Sequence, residues 1–159
     1  DNSLLNCRIE GLENRSPNLI VLDRNLTLKK NLNIFKNKSN RKIYIYTTRN
    51  NKKKIRWLRK NKIKVILLPR MCSKNDFTIL FKSFTKLGFS RIFVETGLTF
   101  INFLIYNKFI NNIYIFKTDF NLNKNGFNNS SNDLVRKIKL VNKLKTYLDN
   151  DKAYVERLN

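Results

Sequence analysis

Apolar residues recur along this chain in two kinds of pattern, and their alternation predicts the fold. Continuous apolar runs typical of buried strands occupy residues 18–22, 42–47, 63–68, 91–95 and 113–117. Helical patterns occupy residues 51–60, 76–87 and 98–109. Strands that alternate with helices in this way predict an α/β fold, with a mostly parallel central sheet flanked by helices.

The end of the chain departs from this alternation. Residues 137–148 and 152–158 alternate loosely around a polar turn at 149–151, which predicts a C-terminal antiparallel hairpin. Polar loops are expected at 25–40, with one hydrophobic turn at 32–35, and at 121–133. A chain of 159 residues suits one domain spanning residues 1–159.

The charge is strongly positive, with a formal net charge of +22. Such an excess raises nucleic acid as a partner. However, the lysines occur together with many Asn, Ile and Phe residues along the whole chain, as AT-rich codons would produce, and no zinc-finger or RNP-type motif is visible. We therefore predict no nucleic-acid partner, and keep a basic, non-enzymatic RNA-binding module as an alternative. A basic surface would also favour anionic, phosphorylated ligands.

The chain has no histidine, which excludes Ser-His-Asp and Cys-His nucleophile systems and His-based metal sites. Cys7 and Cys72 cannot form a structural zinc site by themselves, so no metal is predicted. Two free thiols suit a reducing compartment, and we expect a cytoplasmic protein. Their alternative role is that of small buried hydrophobic residues. No apolar run reaches the roughly 18 residues that span a bilayer, so no membrane partner is expected.

The candidate ligand site is the turn Glu95-Thr96-Gly97 between a predicted strand and a predicted helix. Glycine lets backbone come close to a ligand, and the helix start offers unpaired N–H groups to an anion. This turn is therefore predicted to hold a phosphate, with Glu95 facing the same crevice and Thr99 adding a hydroxyl group. The alternative is a plain strand–helix turn with Thr99 as its N-cap.

Three stretches carry a family resemblance: Asp1-Asn-Ser-Leu-Leu-Asn-Cys-Arg8, Pro17-Asn-Leu-Ile-Val-Leu-Asp-Arg24 and Val94-Glu-Thr-Gly-Leu-Thr99. They resemble Asp-Asp-Pro-x-Leu-Thr-x-Arg, Pro-x-Arg-Val-Val-Leu-Asp-x and Val-Glu-Gly-Gly-Pro-Thr of the pyrimidine reductases of riboflavin biosynthesis, the reductase half of RibD-type proteins. Their order and spacing are together fairly specific.

The resemblance implies a dihydrofolate-reductase-like fold and NADPH-dependent reduction of 5-amino-6-(5-phosphoribosylamino)uracil to its ribitylamino product. It implies that the phosphorylated pyrimidine substrate is bound by Leu5, Arg8 and Glu95, with Arg8 on its phosphate. It also implies a set of cofactor contacts: Asp1, Arg24, Gly97, Leu98, Thr99, Phe100, Ile101, Asn102 and Phe103. The alternatives are a solvated surface charge for Arg8 and for Arg24, and a related reductase of the same fold acting on another substrate.

The resemblance has further implications for organisation. Family members commonly pair through this domain, so a homodimer is expected. In the family a preceding segment supplies the first strand, a helix and further ligand contacts, and a zinc deaminase domain often comes before it. If these residues were the whole polypeptide, the sheet would be incomplete and the protein inactive, and this stretch alone would bind NADPH more weakly than the parent chain. No residue stands out as a general acid, so the catalytic residue is unknown.

Overall fold

The computed structural model describes residues 2–36, 41–118, 137–145 and 151–158. Asp1, the predicted loop at 121–133 and residues 149–150 of the predicted turn lie outside the described residues. The chain divides into two compact units, one up to Phe89 and the other from Ser90. The single domain over residues 1–159 stays a prediction.

The first unit contains a parallel three-stranded sheet with the strand order β1-β2-β3. Its strands are β1 (Leu19–Leu22), β2 (Ile43–Thr47) and β3 (Lys64–Leu67). Strand β2 pairs with both neighbours, and all five of its residues are buried, as its apolar run predicts. The three strands predicted at 18–22, 42–47 and 63–68 are thus confirmed.

Two helices of this unit follow the sequence patterns closely. Helix α1 (Lys52–Lys60) is capped by Asn51, whose side chain accepts a hydrogen bond from the backbone N–H of Lys54 at 3.0 Å. Helix α2 (Lys74–Lys86) begins two residues before the predicted start, because Ser73 and Asp76 form a reciprocal capping box. The helices predicted at 51–60 and 76–87 are confirmed.

The chain leaves both helices through left-handed residues. Gly88 has a φ of +87° after α2, and its N–H donates to Thr85 O at 2.9 Å. After α1 the same position is held by Lys62, with a φ of +62° and an N–H that donates to Arg59 O at 3.0 Å. A non-glycine residue with this backbone conformation is strained, so Lys62 weakens the end of α1.

Aromatic and branched side chains fill the core of the first unit. Tyr46 is 1% exposed, and its ring meets that of Phe84 on α2 edge-to-face, with 5.2 Å between the ring centroids. The Tyr46 hydroxyl group lies 3.1 Å from Ser83 Oγ, which satisfies its polar atom inside the core. The core also contains a cluster of eight buried residues: Leu26, Ile34, Phe35, Ile43, Ile45, Ile55, Leu58 and Ile63.

The second unit contains helix α3 (Leu98–Tyr106) and an antiparallel sheet in the order β4-β6-β5. Its strands are β4 (Asn112–Lys117), β5 (Lys143–Leu144) and β6 (Lys152–Arg157). The predicted antiparallel pairing at the end of the chain is confirmed, and Glu156 reinforces it by accepting hydrogen bonds from the backbone and side chain of Asn142, each at 2.8 Å.

Two expectations about this unit were wrong. The strand at 113–117 forms as β4, but it pairs antiparallel with β6 and is not part of a parallel sheet. Residues 91–95 form no strand, and Phe93 is 70% exposed. An apolar run expresses a preference for burial, whereas a strand also needs a neighbour, and no other described segment forms a ladder with residues 91–95.

Candidate functional site

Among the three α-helices of the described residues, α3 is the one whose start has no capping side chain. Gly97 occupies the N-cap position, and no side chain caps the helix. An alanine Cβ at Gly97 would meet no atom within 4 Å. The backbone of Gly97 has φ −71°, which any residue can adopt, so neither packing nor backbone conformation requires glycine here. The space in front of this glycine is therefore available to a ligand.

The hydrogen bonds of the first turn decide which N–H groups can face that ligand. The N–H groups of Phe100 and Ile101 donate to Gly97 O at 3.2 and 3.1 Å. The donors left over at the start of a helix are then those of Leu98 and Thr99. Two adjacent N–H groups at the positive end of a helix make a small anion-binding corner. We call Gly97, Leu98 and Thr99 the α3 corner.

The remaining predicted cofactor residues on α3 lie further along the helix. Ile101, Asn102 and Phe103 follow the first free donors, so they can contact a ligand only through their side chains. The rings of Phe100 and Phe103 are stacked, 6.0 Å apart at 10° between planes, and Leu104 behind them is fully buried. Helix α3 is confirmed, although it ends three residues before the predicted end.

Glu95 lies in the irregular stretch before this corner. Glu95 is exposed, as are Thr96 and Gly97, while Val94 is half-buried. Glu95 was expected at the end of a sheet strand, and it stands instead in irregular chain two residues before the α3 corner. Glu95 and the α3 corner belong to the second unit, so the structure describes them within one body.

The first unit carries the other predicted site residues, beginning with the leading segment (residues 2–8). Leu5 is half-buried and packs against the core cluster, with a left-handed backbone at φ +49°. Arg8 is exposed, and among the described residues it has no ion-pair partner. The leading segment thus exposes a guanidinium group that is unpaired within the described part of the chain, three residues after a leucine that is anchored in the core.

Arg24 stands directly beyond the carboxyl end of β1. Its carbonyl oxygen accepts three hydrogen bonds, from the Thr48 N–H at 3.1 Å, Thr47 Oγ1 at 3.1 Å and Thr48 Oγ1 at 2.9 Å. The backbone of Arg24 is therefore fixed against the end of β2, while its side chain is exposed. Ligands of parallel sheets bind outside this edge, so the position suits a ligand contact.

Sequence reasoning missed Arg49, which follows the neighbouring strand β2 at the same edge of the sheet as Arg24. The exposed Arg49 follows Thr47 and Thr48, and its N–H donates to Thr47 Oγ1 at 3.2 Å. Two arginines therefore leave neighbouring strands at the same edge of the sheet. The signal was present as Thr-Thr-Arg directly after a strand run, because side chains that follow parallel strands collect at one edge.

Asp23 stabilises the loop that follows β1 at this edge of the sheet. It is 8% exposed, and its carboxylate accepts hydrogen bonds from the N–H groups of Thr27 and Leu28, each at 2.9 Å. These bonds hold the loop after Arg24 in a tight turn in which Leu26 has φ +55°. Asp23 is thus committed to the loop, and the exposed charge at this edge is positive.

Helix α1 carries part of the positive charge of the first unit. Its exposed residues include Lys52, Lys53, Arg56, Arg59 and Lys60. No Asp or Glu occurs in the sequence between Asp23 and Asp76. Within the described part of the chain, none of these five side chains has an ion-pair partner, so their charge acts on solvent and on approaching ligands.

Metal and membrane features are not found in the part of the chain that the structure describes. No group of three or more Cys, Asp or Glu side chains there could hold a metal ion. None of the helices there has the length and apolar character needed to cross a membrane.

Comparison of the sequence with protein-family models identifies the family of this chain. The sequence matches the family model of the RibD C-terminal domain over residues 1–118. Comparison with curated proteins finds no matching sequence. Because the family match covers well over half of the 159 residues, the chain belongs to the RibD C-terminal domain family. Membership implies a reductase-type domain with a pyrimidine-reductase-like role in riboflavin biosynthesis.

Proposed function

We propose that this domain reduces 5-amino-6-(5-phosphoribosylamino)uracil to its ribitylamino product, with NADPH as its cofactor. Family membership supports the reductase class. The observation that carries the cofactor assignment is the α3 corner, where a helix start has no capping side chain and Gly97 faces open space. The proposal includes the dihydrofolate-reductase-like fold, whose parallel sheet and closing antiparallel strands have counterparts in the two sheets.

In this proposal the α3 corner holds the diphosphate of NADPH. The N–H groups of Leu98 and Thr99 donate to phosphate oxygens, and the helix dipole favours their negative charge. Arg24 binds the 2′-phosphate, which separates NADP from NAD. The remaining α3 residues, from Phe100 to Phe103, contact the cofactor through their side chains, and Asp1 completes the cofactor contacts. When bound, NADPH supplies the hydride that reduces C1′ of the ribose.

The proposed substrate contacts are Leu5, Arg8 and Glu95. Arg8 grips the 5-phosphate with its planar guanidinium group, which can donate two parallel hydrogen bonds to phosphate oxygens. Leu5 contacts the substrate with the part of its side chain that the core leaves exposed, and Glu95 accepts hydrogen bonds from the pyrimidine. These residues bind and orient the substrate, so they contribute mainly by fixing the distance between the reacting carbon and the hydride donor.

The proposal is tested by steady-state kinetics on the full-length protein. The wild type is expected to oxidise NADPH when the phosphorylated substrate is added. Arg8→Ala is expected to raise the KM for that substrate about 10- to 150-fold, since a charge-assisted contact is worth roughly 1.5–3 kcal/mol. Arg15→Ala, at another exposed arginine, is the matched control and should leave KM unchanged. A wild-type protein that oxidises no NADPH with this substrate would contradict the assignment.

A second candidate, RNA binding, is favoured by one observation, the exposed cations of α1. It predicts salt-dependent RNA binding with a steep loss of affinity between low and physiological salt, and indifference to NADPH. We propose that the protein takes no nucleic-acid partner, because its charge is spread along the whole chain. Titrating RNA and NADPH in parallel separates the two candidates. A reductase of another substrate would bind NADPH, but its KM would not depend on Arg8.

The proposal also covers assembly and location. A homodimer is supported by exposed aromatic side chains on the edge strand β4, where Tyr114 is 50% exposed and Phe116 is 65% exposed on the same strand face. Sedimentation should give twice the mass of one chain, and a monomer at micromolar concentration would contradict it. Two free thiols, of which Cys72 is exposed, support a cytoplasmic location.

A further inference from the structure

The leading segment (residues 2–8) has no regular secondary structure, yet its backbone is fixed along its length. Near its start, Asn33 N–H donates to Asn2 Oδ1 at 2.7 Å, and Asn33 Nδ2 donates to Asn2 O at 2.8 Å. Near its end, Cys7 N–H donates to Ser16 Oγ at 3.3 Å. Between these two points Leu5 packs against the core cluster, and among the described residues the hydrogen bonds to the backbone of the segment come from the side chain of Arg41.

Arg41 is an unusual core residue. It is 7% exposed, and its guanidinium group donates from Nη2 to Leu4 O at 2.6 Å and from Nη1 to Leu5 O. In the described part of the chain no carboxylate pairs with it, and its Nε has no acceptor. Burial lowers the pKa of Arg41 from its ordinary value. A buried cation without a carboxylate is a costly way to hold a chain in place, so its geometry needs an explanation.

That geometry acts on two successive peptide groups. The planar fork of an arginine fixes the directions of the two carbonyl groups that it binds. Leu5, which carries the second carbonyl, has a φ of +49°, a conformation that a leucine seldom adopts without external contacts. Arg41 supplies those contacts, and the turn at Leu5 sets the direction in which the chain continues to Arg8.

We propose that Arg41 is the positioning residue for Arg8. It fixes the backbone at Leu4 and Leu5 so that the exposed guanidinium group of Arg8 is directed at the phosphate of the substrate. This inference rests on the proposed function, because it gives Arg41 a role in binding through Arg8. Arg41 itself contacts neither substrate nor cofactor.

The test is a double-mutant cycle between Arg41 and Arg8 in the full-length protein, read as the KM for the phosphorylated substrate. Arg41→Met is expected to raise that KM about tenfold, since a displacement of an ångström in a binding group has large effects. In the Arg8→Ala background the same change should alter KM by less than about twofold, because the residue through which it acts is gone. The KM for NADPH and kcat should change far less than the substrate KM.

A purely structural role gives a different result. If Arg41 only stabilised the fold, Arg41→Met would lower the melting temperature and change KM by the same factor in both backgrounds, which overturns the inference. Arg41→Lys retains the cation but not the fork, so it should give an intermediate KM, and it is the second variant for the cycle if the methionine variant does not fold. Arg59→Met, on the exposed face of α1, is the matched control.

The outcome for Arg8→Ala alone separates the two proposals. If that variant has the KM of the wild type, the phosphate role of Arg8 is wrong, and the role of Arg41 fails with it. If Arg8→Ala raises KM but Arg41→Met has no effect, or an equal effect in both backgrounds, only the inference about Arg41 is wrong.

Discussion

Replacing Gly97 by alanine should weaken the binding of NADPH while leaving the stability of the fold nearly unchanged. The backbone at Gly97 has φ −71° and ψ 162°, which suits alanine, and the added Cβ would have no neighbour within 4 Å. Alanine reduces the freedom of the unfolded chain, which stabilises by about 0.4–1 kcal/mol. It is also a poorer N-cap than glycine, which costs about 0.5–1 kcal/mol. The two effects offset, so the free energy of unfolding should change by less than about 0.5 kcal/mol.

Binding should respond quite differently. The new methyl group would stand between a phosphate and the N–H groups of Leu98 and Thr99. Losing one charge-assisted hydrogen bond costs roughly 1.5–3 kcal/mol, so the Kd for NADPH should rise about 10- to 150-fold. Equilibrium titration of NADPH fluorescence measures the Kd, and urea unfolding followed by the single Trp57 measures stability.

The matched control is Gly88→Ala, for which the expectations are reversed. Gly88 has a φ of +87° at the end of α2, where alanine costs about 1–2 kcal/mol of stability. That variant should be less stable than the wild type and should keep its Kd for NADPH. A Gly97→Ala protein that binds NADPH within twofold of the wild type would refute the reasoning about the α3 corner.

Two further predictions concern helix ends in the first unit. Hydrogen bonds from the backbone of Ser73 and then of Cys72 lower the pKa of Asp76 from 3.8 to about 2. The stabilisation by this carboxylate is therefore present above pH 3.8 and is lost as the pH falls towards about 2. Asp76→Asn should flatten the dependence of the unfolding free energy on pH in that window. An unchanged dependence on pH would contradict this prediction. Lys62→Gly should raise the free energy of unfolding by about 1 kcal/mol, because glycine adopts φ +62° without strain; a lower urea midpoint would contradict it.

Local patterns in the sequence predicted most of the first unit. The runs at β1, β2 and β3 and the caps of α1 and α2 are local, so the strands and helices appear close to their predicted bounds. The resemblance at residues 1–8, 17–24 and 94–99 also indicated the family that the comparison confirms. These features depend on residues that are near one another in the chain.

Features that depend on distant partners were not predictable in this way. The run at 91–95 is as apolar as a buried strand, but its sequence does not indicate which segment would pair with it. No described segment forms a strand ladder with it. The contact between Arg41 and Leu4 joins residues 37 positions apart and leaves no periodic trace. The meeting of Arg24 with Thr48 depends on the order of strands in the sheet, which a single sequence does not state.

The unpaired cations of α1 have a kinetic consequence for any phosphorylated ligand. A helix face with several positive side chains, none of them paired with a carboxylate among the described residues, extends an attractive field by about 8–10 Å at ordinary ionic strength. Such a field accelerates encounter but leaves the escape of a bound molecule almost unaffected. Capture of anionic molecules should therefore slow as salt is added, while their residence time, set by short-range contacts, stays nearly constant.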